Sequence, residues 1–423
     1  MRTRLTTLGA AAWGNFMEWF DFTLYGFFAV AIGQRFFPAD DPLLSTMASY
    51  AAFAAGFIAR PIGAFVFGRM ADRTSRKSVL VTTLLLMGLA TLLVVCAPSH
   101  HNAGLLGPIM VVCARLMAGL AAAGETGAAA AIAIEASPHH QRGRWGGLFS
   151  LSTYLGVAAG GCVALLCYGL LGTEATNDWG WRVGYATGLI IVPLGWWARR
   201  NMQVEHAHPT ASSAAPDHKG TLGMIARVAG LTAFGSSVFY VVIMFMPVFA
   251  ARQFSIPLGT GMATAMMASV ITGLFAIVGG WVSDQHGRKY IMYAGLLFAL
   301  IAGWPLFLML LSTHNALSLA VFQWACAAGF GLFVGGSLPL MVESFPPSRR
   351  ALGFGLGYSL GVMVFGAMAP VVNALALSRG VVFAPLYYMT LTGLITLLTL
   401  HSTRESTTWQ PTENTLSGAM TTT

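Results

Sequence analysis

The chain has 423 residues, of which 56% are hydrophobic and only 9% are charged, with a formal net charge of +8. A soluble domain carries about 25% charged residues, so a soluble fold of this composition would expose large apolar patches. The positive charge does not indicate a nucleic-acid-binding protein, because the basic residues cluster in alternate loops between apolar stretches. The composition therefore predicts an integral membrane protein.

Apolar stretches of spanning length follow one another along the chain, and crossing a bilayer takes about 20 helical residues. The third, ninth and twelfth stretches contain no charged residue. The short sixth stretch begins beside Trp179, Trp181 and Arg182, which are typical of an interfacial anchor. We predict an all-α membrane protein with twelve transmembrane helices, over 8–34, 46–68, 79–97, 104–134, 146–171, 181–198, 228–250, 261–282, 290–311, 316–342, 353–376 and 381–400.

The distribution of Lys and Arg predicts the orientation in the membrane. With the N-terminus in the cytoplasm, seventeen of the 23 basic residues, Arg199 among them, lie on the cytoplasmic side and four on the opposite side. Cytoplasmic loops of membrane proteins carry such an excess of basic residues. Both termini are therefore predicted to be cytoplasmic.

Two internal matches predict that the chain consists of two related halves. Residues 68–77 and 280–289 share Gly, Asp, Arg and Lys at a constant offset of 212. A Glu, a Pro and an Arg near 135–142 recur at an offset of 208. The segment 199–222 is polar and lacks apolar periodicity, which is typical of a linker. We predict a six-helix bundle over 1–198, a cytoplasmic linker over 199–222, a second six-helix bundle over 223–400 and a polar cytoplasmic tail over 401–423.

The two loops at 68–77 and 280–289 resemble the signature Gly-x-x-x-Asp-Arg-x-Gly-Arg-Lys of the major facilitator superfamily. The first copy has Ser75 where Gly is usual, and Ser would strain the turn by roughly 1 kcal/mol if the position needs a positive φ. The resemblance implies two pseudo-symmetric six-helix bundles that work by alternating access. It also implies a gating role for Asp72, Arg76, Asp284 and Arg288.

Three further motifs resemble those of the metabolite:proton symporters, a group that includes citrate, 2-oxoglutarate, shikimate and proline/betaine carriers. They are Gly-Asn-Phe-Met-Glu-Trp-Phe-Asp-Phe at 14–22, Arg-Pro-Ile-Gly at 60–63 and Asp-Trp-Gly-Trp-Arg at 178–182. The chain departs from the usual pattern at Ala118, where that group typically has Gln. The resemblance implies a bacterial-type inner membrane location and a small-molecule substrate.

Five ionisable residues are predicted to lie within spans of the N-terminal half. Each costs about 2.5–3.5 kcal/mol at a helix centre, so each indicates a functional or structural need. The carboxylates are candidates for proton coupling, because alternating access changes both their burial and their neighbouring charges. A purely structural ion pair stays open for the carboxylates and for Arg60, whose predicted depth allows such a pair. The five residues are Glu18, Asp21, Arg60, Arg115 and Glu125.

Arg115 is the predicted anchor for an anionic substrate, and Arg60 is the second candidate. A guanidinium binds a carboxylate through two hydrogen bonds and keeps its charge at any working pH. Arg115 cannot pair with Glu125, which lies about 15 Å away along a regular helix. A carboxylate on another helix, such as Glu18 or Asp21, is the alternative partner. Weaker substrate-binding candidates, each of which could instead form a helix–helix hydrogen bond, are Tyr25, Tyr154, Gln323 and Tyr358.

These observations predict a secondary active transporter that takes up a small organic acid, a di- or tricarboxylate such as citrate, together with protons. Proton symport of a zwitterion such as proline or betaine, and export of a metabolite, are the alternatives. The chain has no Gly-x-x-x-x-Gly-Lys-Ser/Thr loop, no catalytic cluster and no metal-type cysteine spacing, so neither enzyme activity nor a cofactor is predicted. The predicted partners are the organic anion, protons and the lipid bilayer, with no nucleic acid, and the protein is expected to work as a monomer.

Overall fold

A computed structural model describes residues 2–40, 42–200, 218–403 and 405. The N-terminal half contains six long helices, and the first of them breaks at Phe28. They are α1 (Arg2–Phe27, followed by Ala29–Phe36), α2 (Pro42–Arg73), α3 (Arg76–Cys96), α4 (Leu106–Glu135), α5 (Arg142–Ala175) and α6 (Trp181–Arg200).

The C-terminal half repeats this arrangement with six further helices, two of which contain a π-helical stretch. Short helical turns connect several of the twelve, for example His139–Gln141 before α5 and Pro347–Arg349 before α11. The six helices are α7 (His218–Val238, then π-helical Phe239–Phe245, then Met246–Phe254), α8 (Leu258–His286), α9 (Arg288–Thr313), α10 (Ala316–Glu343), α11 (Arg350–Gly361, then π-helical Val362–Ala367, then Ala369–Ser378) and α12 (Ala384–Ser402).

The all-α fold with twelve transmembrane helices in two six-helix bundles is confirmed. Within the described residues, nine helical segments are long and apolar enough to cross a membrane, judged by length and composition, and one of them, His139–Trp197, takes in most of both α5 and α6. The helices run beyond the predicted apolar spans; α2 covers Pro42–Arg73 where the span covers 46–68. This difference arises because a helix continues through its polar ends, whereas hydropathy marks only the part that contacts lipid.

The predicted linker lies mostly outside the described residues, since 201–217 are not described. Its two ends, 199–200 and 218–222, are helical and belong to α6 and α7. Of the predicted tail, only 401–403 and 405 are described.

The two halves meet along two helix pairs that the internal repeat relates to each other. Gly68 of α2 packs on α11, where an added Cβ would lie only 2.7 Å from the Leu352 Cα. Its counterpart Gly280 of α8 packs on the backbone of Gly143 in α5, and neither glycine leaves room for a Cβ. Small residues of this kind allow helix backbones to approach closely. The contacts α2–α11 and α5–α8 therefore reproduce the pseudo-symmetry of the sequence.

Ser75 and Gly287 occupy equivalent positions in the two repeated loops but differ in backbone conformation. Ser75 is extended, with φ −146°, and its hydroxyl accepts a hydrogen bond from the Ser78 N–H at the start of α3. Gly287 has φ +94°, a value that favours glycine. The strain expected for Ser75 is therefore absent, because the first loop uses the serine as a helix N-cap.

The outer surface of the bundle exposes large apolar side chains. Leu170, Leu398 and Ile301 are 80%, 74% and 71% exposed. In water such a surface would drive association, whereas in a bilayer it contacts lipid chains. The polar and charged side chains described below lie in the interior instead.

Candidate functional site

A cavity of about 100 Å³ lies between the two halves. Its wall combines aromatic rings with hydroxyl and amide groups from both halves, and none of the described residues that line it is charged. A polar solute in this space meets neutral hydrogen-bonding groups and the faces of aromatic rings. The polar lining residues include Asn15, Ser150, Thr153, Tyr154, Ser236, Tyr240 and Tyr358.

Two of the predicted substrate-binding residues, Tyr154 and Tyr358, line this cavity. Gln323 lies elsewhere, inside the C-terminal half. Its side-chain amide accepts a hydrogen bond from the Thr264 hydroxyl at 2.6 Å and donates one to the Val242 carbonyl at 2.9 Å. Gln323 therefore cross-links α10 to α8 and α7, the alternative role for an isolated polar residue in a span.

Glu18 and Arg60 form a buried ion pair between α1 and α2. The Thr126 hydroxyl donates to the second Glu18 oxygen at 3.1 Å. The guanidinium carbon of Arg60 lies 6.0 Å from the Trp19 ring centroid and 5.1 Å from that of Phe22. Because Trp19 and Thr126 line the cavity, this ion pair lies one side chain behind the cavity wall.

Arg115 and Asp21 form a second buried pair, with Nη1 of Arg115 2.9 Å from Oδ2 of Asp21. The Thr91 hydroxyl donates to the other carboxylate oxygen at 3.0 Å. The guanidinium lies 4.8 Å from the Tyr25 ring centroid, and the Tyr25 hydroxyl donates to the Ser49 carbonyl at 3.1 Å. Neither Arg115 nor Tyr25 lines the cavity. In this conformation the partner of Arg115 is thus the carboxylate on another helix.

Glu125 pairs with Arg199, a residue predicted from the distribution of Lys and Arg to lie on the cytoplasmic side. Arg199 is fully buried near the end of α6, and its Nη2 lies 2.5 Å from a Glu125 oxygen. The Thr83 hydroxyl donates to the other oxygen at 2.9 Å, and Nη1 of Arg199 donates to the Leu80 carbonyl. The sequence did not indicate this pair, because Arg199 follows the last residue of the predicted sixth span and the predicted depth of Glu125 also suited Arg60.

Four charged side chains link the halves at the end of the molecule where α2 meets α3. Asp72 accepts hydrogen bonds from the backbone N–H groups of residues 351 and 352 in α11, at 3.2 and 2.9 Å. Arg76 pairs with Glu135, which also pairs with Arg350 of the C-terminal half at 3.2 Å. The N-terminus of α11 is thereby capped by an acidic residue of the other half.

The C-terminal half repeats these contacts. Asp284 accepts hydrogen bonds from the backbone N–H groups of residues 143 and 144 in α5, at 2.7 and 3.0 Å. Glu343 accepts from Arg288 at 2.9 Å and from Arg142 of the N-terminal half at 2.8 Å. The four residues implied as a gate by the resemblance therefore lie in two clusters that the internal repeat relates to each other, and each cluster bridges the two halves.

This arrangement is typical of a secondary membrane transporter and not of an enzyme. It combines two related six-helix halves, a polar cavity between them and ion pairs that bridge them at one end. The chain belongs to the Major Facilitator Superfamily, whose sequence profile matches residues 11–370 and, in an overlapping second match, 231–418. It is accordingly a multi-pass membrane transporter.

The chain is similar to known membrane transporters in both sequence and fold. The chain is 30% identical over 393 residues to a citrate-proton symporter of Klebsiella pneumoniae, covering 91% of this chain and 88% of that one. It is 31% identical over 427 residues to a putative proline/betaine transporter of Staphylococcus haemolyticus, covering 95% and 88%. A structure of the proton:xylose symporter XylE shares the fold, with a TM-score of 0.77 at 15% identity and coverage of 97% and 98%.

Proposed function

We propose that this protein is a proton-coupled symporter that takes up a small organic acid, a di- or tricarboxylate such as citrate, by alternating access. It would act as a monomer in a bacterial-type inner membrane, with both termini in the cytoplasm. The observation that carries the proposal is the buried Glu18–Arg60 pair directly behind the wall of the cavity. The citrate-proton symporter among the relatives supports the choice of substrate class.

The pair suggests how proton and anion binding are linked. When Glu18 is ionised, it occupies the Arg60 guanidinium. A proton on Glu18 removes this counter-charge, and a buried cation without a partner is costly. Arg60 would then bind the carboxylate of a solute in the cavity, because a guanidinium matches a carboxylate in geometry as well as charge. Proton binding would precede anion binding.

Arg115 and Asp21 remain the second candidates for these two roles. The Nε and Nη2 atoms of Arg115 have no hydrogen-bond partner within the described part of the chain, so this side chain retains donors for a carboxylate. Arg60 is the stronger candidate, because two residues beside the Glu18–Arg60 pair line the cavity. They are Trp19, whose ring lies near the Arg60 guanidinium, and Thr126, which donates its hydroxyl to Glu18.

The charged network around Asp72, Arg76, Asp284 and Arg288 is the proposed cytoplasmic gate. It links the halves at one end, so breaking it is a requirement for opening the cavity on that side. The internal repeat relates Asp72 to Asp284 and Arg76 to Arg288, which supports a shared role for these residues.

Uptake into proteoliposomes tests the proposal. Radiolabelled citrate, 2-oxoglutarate, shikimate and betaine are offered with and without an inward proton gradient. We expect the gradient to stimulate accumulation of at least one acid and not of betaine. Failure of all three acids to accumulate would contradict the proposed substrate class.

Symport of a zwitterion such as betaine is the second candidate function. It is favoured by the aromatic side chains of the cavity, including Trp19, Tyr154, Tyr240 and Tyr358, because aromatic faces attract quaternary ammonium groups. The putative proline/betaine transporter among the relatives supports it as well. Accumulation of betaine alone in the same assay would establish this alternative.

A further inference from the structure

We propose that Glu125 and Arg199 form a second proton-binding station, through which the transported proton leaves Glu18 for the cytoplasm. This inference rests on the proposed function and extends it to a pair of residues outside the cavity. It assigns to Arg199 a role in coupling, where the sequence predicted only the first residue of a cytoplasmic linker.

The first support is the position of the pair relative to Glu18. Gly14 of α1 contacts both Glu125 and Arg199, and an added Cβ would overlap both side chains. Glu18 lies one helical turn further along the same face, about 6 Å along the axis. Thr126, the neighbour of Glu125, donates its hydroxyl to Glu18. The two carboxylates interact electrostatically.

The second support is the surroundings of the pair. A cavity of about 10 Å³ borders Glu125, Arg199 and Thr83. One water needs roughly 10–15 Å³, so this space is at the lower limit of size for one water molecule. Apolar side chains, including Met17, Leu84 and Met87, complete its lining. Three helices place polar or charged groups at Glu125: Glu18 comes from α1, Thr83 from α3 and Arg199 from α6. Glu18 is itself paired with Arg60 of α2.

The Glu18–Arg60 and Glu125–Arg199 ion pairs can break and re-form in turn. While the proton is on Glu18, Arg60 is free for the substrate and Arg199 is held by Glu125. Once the anion has left, transfer of the proton to Glu125 returns the negative charge to Glu18, which pairs with Arg60 again. Arg199 then loses its counter-charge. As it is the second-last residue of α6, its long side chain can extend toward the cytoplasmic water. The proton then passes from Glu125 to water, and Arg199 returns.

Glu125→Gln separates this role from a structural one. The variant and wild type are reconstituted, and two processes are measured with the labelled solute that the wild type accumulates: accumulation driven by a proton gradient, and exchange of internal for external solute at equal pH. We expect Glu125→Gln to retain exchange and to lose accumulation, because exchange needs no net proton transfer. The exposed Glu174→Gln is the matched control and should retain both processes.

Variants of Arg199 and Gly14 extend the test to the partner residues. Arg199→Gln should also retain exchange without accumulation, and Arg199→Lys should recover accumulation with a shifted pH profile. Gly14→Ala keeps every charge but forces the pair apart, so it should lower accumulation more than exchange. Gly9→Ala, where an added Cβ meets no atom within 4 Å, is its control.

The outcomes distinguish this inference from the proposed function. Full accumulation by Glu125→Gln, with wild type active, would overturn the second station and leave the symporter proposal standing. Equal loss of exchange and accumulation in Glu125→Gln and Gly14→Ala would also overturn it, since that is the result of a structural role. Absence of gradient-driven accumulation in the wild type would overturn both proposals.

Discussion

Among the described residues of the N-terminal half, three carboxylates are buried, and each is held by one arginine and one threonine. The attraction between two buried charges offsets their desolvation only when the remaining oxygens also find hydrogen-bond donors. A threonine hydroxyl supplies that donor without adding a charge. The three sets are Glu18 with Arg60 and Thr126, Asp21 with Arg115 and Thr91, and Glu125 with Arg199 and Thr83.

At the scale of single residues, Arg60→Met should lower the free energy of unfolding and abolish uptake. Removing one partner of a buried pair costs about 3–5 kcal/mol, because the other charge is left uncompensated. Thermal unfolding in detergent and uptake in proteoliposomes measure the two effects. The double variant Glu18→Gln with Arg60→Met should regain most of the stability but not the uptake. Wild-type stability in Arg60→Met would show that the pair does not hold α1 and α2 together.

Arg115→Ala should abolish anion uptake while the protein is still produced in the membrane. Its removal takes away the cation that pairs with Asp21 and the spare donors available to a carboxylate. Uptake and the amount of protein in membranes are measured together. Arg35→Ala is the control, because the Arg35–Asp178 pair is partly exposed and such pairs contribute little. Normal uptake by Arg115→Ala would remove Arg115 from the transport mechanism.

At the scale of helices, the interface between the halves depends on acidic residues that cap helices of the opposite half. Asp72 caps α11 and Asp284 caps α5. A capping residue of this kind contributes about 0.5–2 kcal/mol, and the favourable helix dipole adds to it. The glycines at 68 and 280 let the backbones come close enough for these caps to form.

Asp72→Ala should shift the protein toward conformations in which the halves are separated at this end. Loss of about 0.5–2 kcal/mol changes the ratio of closed to open molecules by roughly 2- to 30-fold. Spin labels at the exposed positions 73 and 348, measured by double electron–electron resonance, should report longer distances. Asp284→Ala should act in the same direction, since the repeat relates the two residues. Unchanged distances in both variants would argue against a gate.

At the scale of the whole molecule, the charges are divided unequally between two similar halves. The N-terminal half contains the three buried pairs described above, and the C-terminal half supplies neutral groups to the cavity, such as Ser236, Tyr240 and Tyr358. Two halves with the same fold can therefore carry different chemistry: ionisable groups on one side of the cavity and hydrogen-bonding or aromatic groups on the other.

The predicted topology is tested on the intact protein in cells. In a variant whose five cysteines are replaced by serine, single cysteines are introduced at the exposed positions 101 and 348. We expect a membrane-impermeant thiol reagent to label position 101 from outside and position 348 only after the cells are opened, because the basic loops stay in the cytoplasm. The opposite pattern would invert the orientation.

Much of the architecture could be predicted because it depends on quantities that can be counted along the chain. The lengths of the apolar stretches give the twelve helices, and the constant offsets between 68–77 and 280–289 give the two halves. The depths of Arg60 and of the carboxylates in the membrane could be calculated from the ends of their helices. Their similar depths were enough to predict that Arg60 could pair with a carboxylate.

Other features depended on how each helix is rotated about its axis, which spacing along one chain does not determine. The sequence by itself determined that five ionisable residues lie inside the N-terminal half, because apolar length requires the helices to contain them. Only the tertiary structure decided which arginine meets which carboxylate, that Arg199 turns inward to Glu125, and that the cavity wall is neutral. The physical reason is that helix packing determines which opposite charges come within contact distance. A buried charge pairs with the one it meets, because an unpaired buried charge is costly to desolvate.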